Sequence, residues 1–350
     1  MKNQLGGLAR RATYIEQQRA AGIPVLHLEA GDAFHKGYNV ADKDKKQVGA
    51  AADLFLQQFA AQGLHAYNLG DRDLGLGMDT LLALSKKAKF PILNANVLKD
   101  GTPVFKPSAI VEVAGYQIGL VGAVTALFVN KTQLEQDSGV TLAAPAPLVK
   151  AEVDKLKAAG ISLIFVLGHL NAKEMEAVAA ASPDITAILG GQSNLQQRTL
   201  KMVEGVFVAD AYQKGKNLSV LDLFVRGGSL KFVDRYRRKS LETLKANLDR
   251  QVQSRAKSIE QAKKDPVRAR SVEYLERNLV QLRTQLQEVE FDLEDAVAPV
   301  ADASFVKWEL KGMSTSFVDE ANSAAAVKAY RDVYPDPTKK KRPAPVPPKR

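Results

Sequence analysis

Apolar residues recur along the first two hundred positions in two alternating patterns, one typical of helices and one typical of buried strands. Residues 8–21 have helical spacing, and the apolar run that follows them ends at Gly31-Asp32. The same helix and strand unit returns as 46–61 with 64–69, as 145–159 with 162–167, and as 173–181 with 185–189. Repeated units of this kind predict a largely parallel sheet covered by helices.

Two further segments predict strands outside these units. Residues 104–124 have the pattern of a hairpin that turns at Ala114-Gly115, and residues 199–235 have the pattern of three or four strands. These strands predict a second sheet beside the first. The fold class expected from the whole pattern is α/β, a four-layer α/β/β/α sandwich with helices on both outer faces.

The pattern changes at about residue 237. Leucine and valine residues then recur at helical spacing up to about 296, and in the second half of this segment the spacings alternate between four and three, which is typical of a coiled coil. We predict an antiparallel helical hairpin that turns near Pro266. The sequence leaves open whether this hairpin projects, dimerises or packs back on the core.

The predicted domains follow from these changes. Residues 1–236 form the α/β domain, 237–297 the helical coiled-coil hairpin, 298–334 one strand (303–311) and a short helix (317–332), and 335–350 a disordered basic tail rich in proline.

Charge and composition narrow the classes of function. The formal net charge of the 350 residues is +10, but the tail from residue 335 holds six basic residues and one acidic residue, which is half of the excess. We therefore expect no nucleic-acid partner for the folded part. No run approaches the roughly 18 apolar residues of a membrane span. The chain has no cysteine, so a metal would need His, Asp, Glu, Asn or backbone oxygen ligands.

The first residues, Met1 to Gly7, lack the charged start and apolar stretch of a signal peptide. As written, the chain is expected in the cytoplasm. A start further upstream with a signal peptide would instead make it periplasmic.

Several ordered blocks then make a family recognisable. They are Gly6-Gly7-Leu8-Ala9-Arg10-Arg11, Ala30-Gly31-Asp32-Ala33-Phe34, Gly70-Asp71-Arg72-Asp73, Asn94-Ala95-Asn96-Val97, Gly168-His169-Leu170 and Gly190-Gly191-Gln192-Ser193-Asn194. Together, over roughly residues 5–225, they resemble the 5′-nucleotidase branch of the calcineurin-like metallophosphatases.

The resemblance implies a pair of divalent metal ions, roughly 3.5–4 Å apart at the strand ends, that act in hydrolysis of a phosphate ester. It implies Asp32 as the bridging ligand, with Asp71 and His169 as further ligands. The metal would be Mn, Zn, Mg or Ca. From the residues alone, the alternative for Asp32 is a helix-capping or turn aspartate after a strand, and the alternative for His169 is a buried, hydrogen-bonded histidine.

Other positions depart from the family pattern. Arg72 stands where the family has a histidine that contacts the phosphoryl group, and Asp73 matches an acidic residue that would orient it. These two are the candidate catalytic residues, although the segment could also be a charged loop with a local ion pair. Gln192 and Asn194 stand in place of two histidine ligands, and their amide oxygen atoms are weak ligands.

The motif that would carry the first strand and two more ligands, Asp-x-His, is not found ahead of the Gly6-Gly7 block. His27, His35 and His65 do not replace it, and we expect packing or surface roles for all three.

Two hypotheses of function remain. The first is a degenerate metallophosphatase domain, a pseudoenzyme with little or no activity that serves as a binding or assembly module, with the hairpin as the element for a protein partner or for self-association. The alternative is a metal-dependent phosphoesterase of the nucleotidase type, a hydrolase of phosphate monoesters. In both, a phosphate ester or nucleotide is the expected ligand.

Overall fold

The structure, a computed structural model, describes residues 6–127, 129–190, 197, 199–212, 215–265, 268–294, 296 and 303–335. Its helices are α1 (Leu8–Ala20), α2 (Lys45–Ala61), α3 (Met78–Lys87), α4 (Lys131–Ser138), α5 (Pro145–Ala158), α6 (Ala172–Ala181), α7 (Arg237–Lys263), α8 (Val272–Glu294) and α9 (Ala321–Val333). The helices expected from the apolar pattern are all present in this part of the chain.

The strands of the first half are β1 (Leu28–Glu29), β2 (Ala66–Asn68), β3 (Ile92–Leu93), β4 (Val97–Lys99), β5 (Thr102–Pro103), β6 (Ser108–Val113), β7 (Tyr116–Val124) and β8 (Val140–Leu142). Those of the second half are β9 (Leu163–His169), β10 (Ala187–Gly190), β11 (Lys201–Val203), β12 (Val206–Asp210), β13 (Asn217–Phe224), β14 (Phe232–Asp234) and β15 (Ser304–Gly312).

Two main sheets form the inner layers of the sandwich. One is parallel, in the order β1-β2-β3, and the other has six strands in the order β11-β12-β10-β9-β7-β6. In the larger sheet β12, β10, β9 and β7 are parallel, whereas the edge strands β11 and β6 are antiparallel. Apolar side chains such as Leu93, Leu120 and Phe165 fill the space between the sheets, and helices cover the outer faces. The four-layer fold class is confirmed.

The expected division of strands between the sheets was wrong. The first two helix and strand units contribute β1 and β2 to the small sheet, but the other two contribute β9 and β10 to the large one. The 104–124 hairpin joins the large sheet, where β7 pairs with β9. Apolar spacing identifies a buried strand without naming its neighbour, since pairing depends on contacts far apart in sequence.

Three strands from the later part of the sequence form a third sheet, in the order β13-β15-β14. The predicted strand at 303–311 is its central strand. The following helix α9 packs against α1 and α2, and the segment before it is held by a hydrogen bond from the Thr13 hydroxyl group to the Val318 carbonyl oxygen. A smaller sheet, β5-β4-β8, flanks the main fold.

Helices α7 and α8 form the predicted antiparallel hairpin. Leu241, Leu248, Leu282 and Val289 are buried between them. Ion pairs join the two helices, with Lys245 Nζ 2.5 Å from Glu290 Oε1 and Lys263 Nζ 3.1 Å from Glu276 Oε1. Pro266, the expected turn, and the tail after Pro335 lie outside the described residues. The coiled-coil pattern and the domain boundaries stay predictions.

At Gly122 the two main sheets approach each other closely. A Cβ atom there would lie 2.7 Å from Asn68 Oδ1 and 2.8 Å from the carbonyl carbon of Leu93, on the facing sheet. We expect Gly122→Ala to lower the free energy of unfolding by about 1 to 3 kcal/mol in urea denaturation, because the sheets would have to separate. Gly49→Ala is the control, since Gly49 lies in α2 with open space around it. This substitution should raise the free energy of unfolding by up to about 1 kcal/mol. An equal effect of both substitutions would contradict this account.

Candidate metal centre

Three side chains from three strand ends meet at one edge of the sandwich. Asp32 follows β1, Asp71 follows β2, and His169 is the last residue of β9. The Nε2 atom of His169 lies 3.3 Å from Asp32 Oδ2 and 3.2 Å from Asp71 Oδ1. One ligand atom from each residue lies within 4.8 Å of the other two. The structure therefore brings together all three predicted ligands that lie in its described part.

The loops that carry the two aspartates pack backbone against backbone. A Cβ atom on Gly31 would lie 2.6 Å from the amide nitrogen of Gly70, and one on Gly70 would lie 2.1 Å from Asp32 Oδ1. Asp32 itself adopts a φ of 62°, a region that aspartate tolerates better than most residues. The two glycines thus permit the close approach that sets Asp32 beside Asp71.

Asp73 holds these loops together. Its Oδ2 atom accepts hydrogen bonds from the Asp32 amide at 3.0 Å, the Gly70 amide at 2.9 Å and the Tyr67 hydroxyl group at 2.6 Å. Its Oδ1 atom accepts one from the Phe34 amide at 3.1 Å. The sequence suggested that Asp73 orients Arg72, but these contacts direct its carboxylate into the interior and give it a role in loop positioning.

Arg72 lies at the open side of the site. Its backbone amide donates to Asp32 Oδ1 at 2.9 Å, and its Nε atom lies 3.6 Å from Asp32 Oδ2. The guanidinium carbon is 5.7 Å from the ring centroid of Tyr38. The Arg72 side chain is 40% exposed, whereas that of His169 is 1% exposed. Arg72 is therefore the part of the site that an incoming ligand reaches.

The buried groups have shifted ionisation. Burial lowers the pKa of His169, but hydrogen bonding and attraction to Asp32 and Asp71 outweigh it and raise this pKa to about 10. Burial and the negative charge of Asp32 raise the pKa of Asp73 to about 7, against hydrogen bonds from Tyr67, Gly70 and Asp32. Without a cation, one proton on His169 balances part of the charge of the Asp32 and Asp71 carboxylates.

The donor set fits a divalent cation. Two carboxylates and one imidazole suit ions such as Mn²⁺ or Zn²⁺. Because Asp71 and His169 are buried, a cation that replaces the proton on His169 would balance the negative charge of the carboxylates. Gln192 and Asn194, the expected weak ligands, lie outside the described residues.

Sequence reasoning missed two tyrosines of this region. Tyr67 lies in β2 with its ring fully buried, and Tyr38 lies in the loop after β1. A signal existed for Tyr67, because a tyrosine in a buried strand needs a partner for its hydroxyl group.

The other three histidines, His27, His35 and His65, lie outside this site. His27 is buried and contacts Arg11, and His35 is on the loop with its Nε2 atom 3.2 Å from the Asn39 carbonyl oxygen.

The structure is similar to solved structures of known proteins. The chain superimposes on solved structures of a sulfate thiohydrolase, SoxB, from Thermus thermophilus (TM-score 0.63, 16% identity, 94% of this chain and 47% of that one) and of the calcineurin-like phosphoesterase YfkN from Bacillus subtilis (0.60, 16%, 94% and 89%). A 5′-nucleotidase precursor, also from Thermus thermophilus, is similar as well (0.61, 20%, 94% and 54%). The chain has the calcineurin-like metallophosphatase fold.

The sequence is similar to those of curated 5′-nucleotidases. The chain is 32% identical over 204 residues to the 5′-nucleotidase of Diplobatis ommata and 28% identical over 207 residues to that of Mus musculus. Each match covers 54% of this chain, which spans about a third of those relatives' length. No family model matches. The resemblance to the 5′-nucleotidase branch is confirmed over this half of the chain.

Proposed function

We propose that this chain is a metallophosphatase-fold binding module that holds one divalent cation between Asp32, Asp71 and His169 and binds a phosphate ester or nucleotide with little or no turnover. The observation that carries the proposal is the composition of the site. Among the described residues, a single imidazole joins two carboxylates, and an arginine stands at the open side.

The chain's own groups favour binding over hydrolysis. Arg72 offers up to five N–H donors to phosphoryl oxygen atoms, but its guanidinium does not give up a proton near neutral pH. It therefore grips a phosphate without serving as a general acid for the leaving group. A divalent cation bound here would supply a Lewis acid that polarises a phosphoryl oxygen.

The second candidate is a metal-dependent phosphoesterase. It is supported by the convergence of three ligand residues and by relatives that are named 5′-nucleotidases. This chain spans only about a third of the length of those relatives, so hydrolysis by this chain needs its own test.

Metal content and hydrolysis distinguish the two. The purified chain would be incubated separately with Mn²⁺, Zn²⁺ and Ca²⁺, its metal counted by mass spectrometry, and hydrolysis of p-nitrophenyl phosphate and AMP followed in parallel. One ion per chain, binding of AMP in a calorimetric titration and no turnover support the binding module. Turnover that disappears in both Asp32→Ala and His169→Ala establishes the phosphoesterase, and no metal at all overturns both.

We also propose the helical hairpin as the element of assembly. On α8, Val280 and Phe291 are 63% and 67% exposed, and their spacing of 11 residues places them on the same side of the helix. We expect light scattering to give a molar mass above that of one chain, and the variant carrying both Val280→Glu and Phe291→Glu to have the mass of one chain. An unchanged mass in that variant would exclude this face.

A further inference from the structure

We propose that Tyr38 is a positioning residue that holds the Arg72 guanidinium beside Asp32, where it takes the phosphate group of a bound ester. This inference rests on the proposed phosphate ligand and adds the residue that shapes its binding site. Tyr38 lies in the loop after β1 and is 40% exposed at the mouth of the site.

The Arg72 side chain needs a restraint beyond Asp32. The backbone amide of Arg72 is fixed by Asp32 Oδ1, but the Nε atom is 3.6 Å from Asp32 Oδ2, which is longer than a hydrogen bond. Holding an exposed arginine in one conformation costs more side-chain entropy than a single exposed ion pair recovers. Asp32 alone does not hold this side chain.

Tyr38 supplies the second restraint through its aromatic ring. The Arg72 guanidinium carbon lies 5.7 Å from the centre of the Tyr38 ring, within the range of a cation–π contact. Attraction to the Tyr38 side chain, together with the charge of Asp32, raises the pKa of Arg72, which agrees with this contact. Since arginine has five N–H donors, these contacts leave donors for phosphate oxygen atoms.

The position of Tyr38 is fixed by the segment that follows Arg72. A Cβ atom on Gly75 would lie 2.6 Å from the carbonyl carbon and oxygen of Tyr38, so the two backbones are in direct contact. Four residues before Tyr38, the Phe34 amide donates to Asp73 Oδ1 and the Phe34 ring stacks on Tyr67 at 4.3 Å. Tyr38 and Arg72 are therefore carried by two loops that are joined at two points, between Phe34 and Asp73 and between Tyr38 and Gly75.

Binding of inorganic phosphate to the Mn²⁺-loaded chain, followed by calorimetry, tests this role. We expect Tyr38→Ala to weaken phosphate binding about tenfold, which corresponds to about 1.4 kcal/mol, and Tyr38→Phe to restore part of it through the ring. Arg72→Ala should weaken binding at least as much, and the double variant should be no weaker than Arg72→Ala, because Tyr38 acts through Arg72. Mn²⁺ content should stay unchanged in both tyrosine variants.

Tyr236→Ala is the matched control, since Tyr236 is 44% exposed, directly precedes α7 and packs on Phe305 of the third sheet. Phosphate affinity in Tyr38→Ala equal to that of the unaltered chain, or losses in the two single variants that simply add, would overturn the role of Tyr38. If the unaltered Mn²⁺-loaded chain binds no phosphate, the proposed function fails instead.

A second measurement addresses the position of Arg72 without a ligand. The ¹⁵N relaxation of its Nε–H group reports how ordered the side chain is. We expect an ordered group in the unaltered chain and in Tyr38→Phe, and a mobile one in Tyr38→Ala. An equally ordered group in Tyr38→Ala would sink the inference even if phosphate binds.

Discussion

Replacing Asp73 by alanine is expected to lower the free energy of unfolding by about 3 to 5 kcal/mol and to abolish tight metal binding. The carboxylate accepts hydrogen bonds from the amides of Asp32, Phe34 and Gly70 and from the hydroxyl group of Tyr67. Truncation leaves these donors in a buried region without their acceptor, and each such loss costs about 1 to 3 kcal/mol. Because Asp32 is one of the three proposed ligands, the proposed metal site loses its geometry as well.

Urea denaturation and Mn²⁺ titration of the same preparations measure both effects. Asp73→Asn should cost less than Asp73→Ala, since its amide keeps one accepting oxygen atom. Asp154→Ala is the surface control, because Asp154 is exposed and forms an ion pair with Lys150, four residues away in α5. It should change stability by less than about 0.5 kcal/mol. Stability of Asp73→Ala within about 1 kcal/mol of the unaltered chain would show that the loops hold without this carboxylate.

The convergence of Asp32, Asp71 and His169 could be predicted from the sequence. Each residue follows or ends an apolar strand, and the carboxyl ends of parallel strands in an α/β fold lie at one edge. The family resemblance assigned the same three residues as ligands. What the sequence lacked was the distance between them, which depends on how two separate sheets face each other.

The sheet to which each strand belongs could not be predicted, and neither could the contacts of the loops. The hairpin at 104–124 has the same apolar pattern whether it starts a new sheet or pairs with β9, because burial on both faces looks alike in either case. Asp73 followed Arg72 directly, so an orienting role was the natural local interpretation. Its true partners include Asp32 and Phe34, about 40 positions away, and such long-range contacts leave no mark in local spacing.

The affinity of the site for Mn²⁺ is expected to rise by about tenfold for each pH unit between about pH 6 and 8. A cation coordinated by His169 needs the neutral ring, but in the metal-free chain the two carboxylates raise the pKa of His169 to about 10. Binding must therefore release one proton throughout this range. The folding stability of the metal-free chain changes with pH in the opposite direction. The charged His169 contributes stability that is fully present below about pH 6.5, the ordinary histidine pKa, and that is lost as the pH rises through about 10.

Calorimetric titration with Mn²⁺ at about pH 6, 7 and 8, in buffers of different ionisation enthalpy, counts the released proton directly. In His169→Ala the affinity should fall more than about 100-fold, since the only imidazole of the described site is lost, and its dependence on pH should weaken. His35→Ala is the control, because His35 lies on the loop near Asn39 and outside the ligand cluster. An affinity that is flat with pH in the unaltered chain, or unchanged in His169→Ala, would mean that Mn²⁺ binds elsewhere and that Asp32, Asp71 and His169 serve only to join the loops.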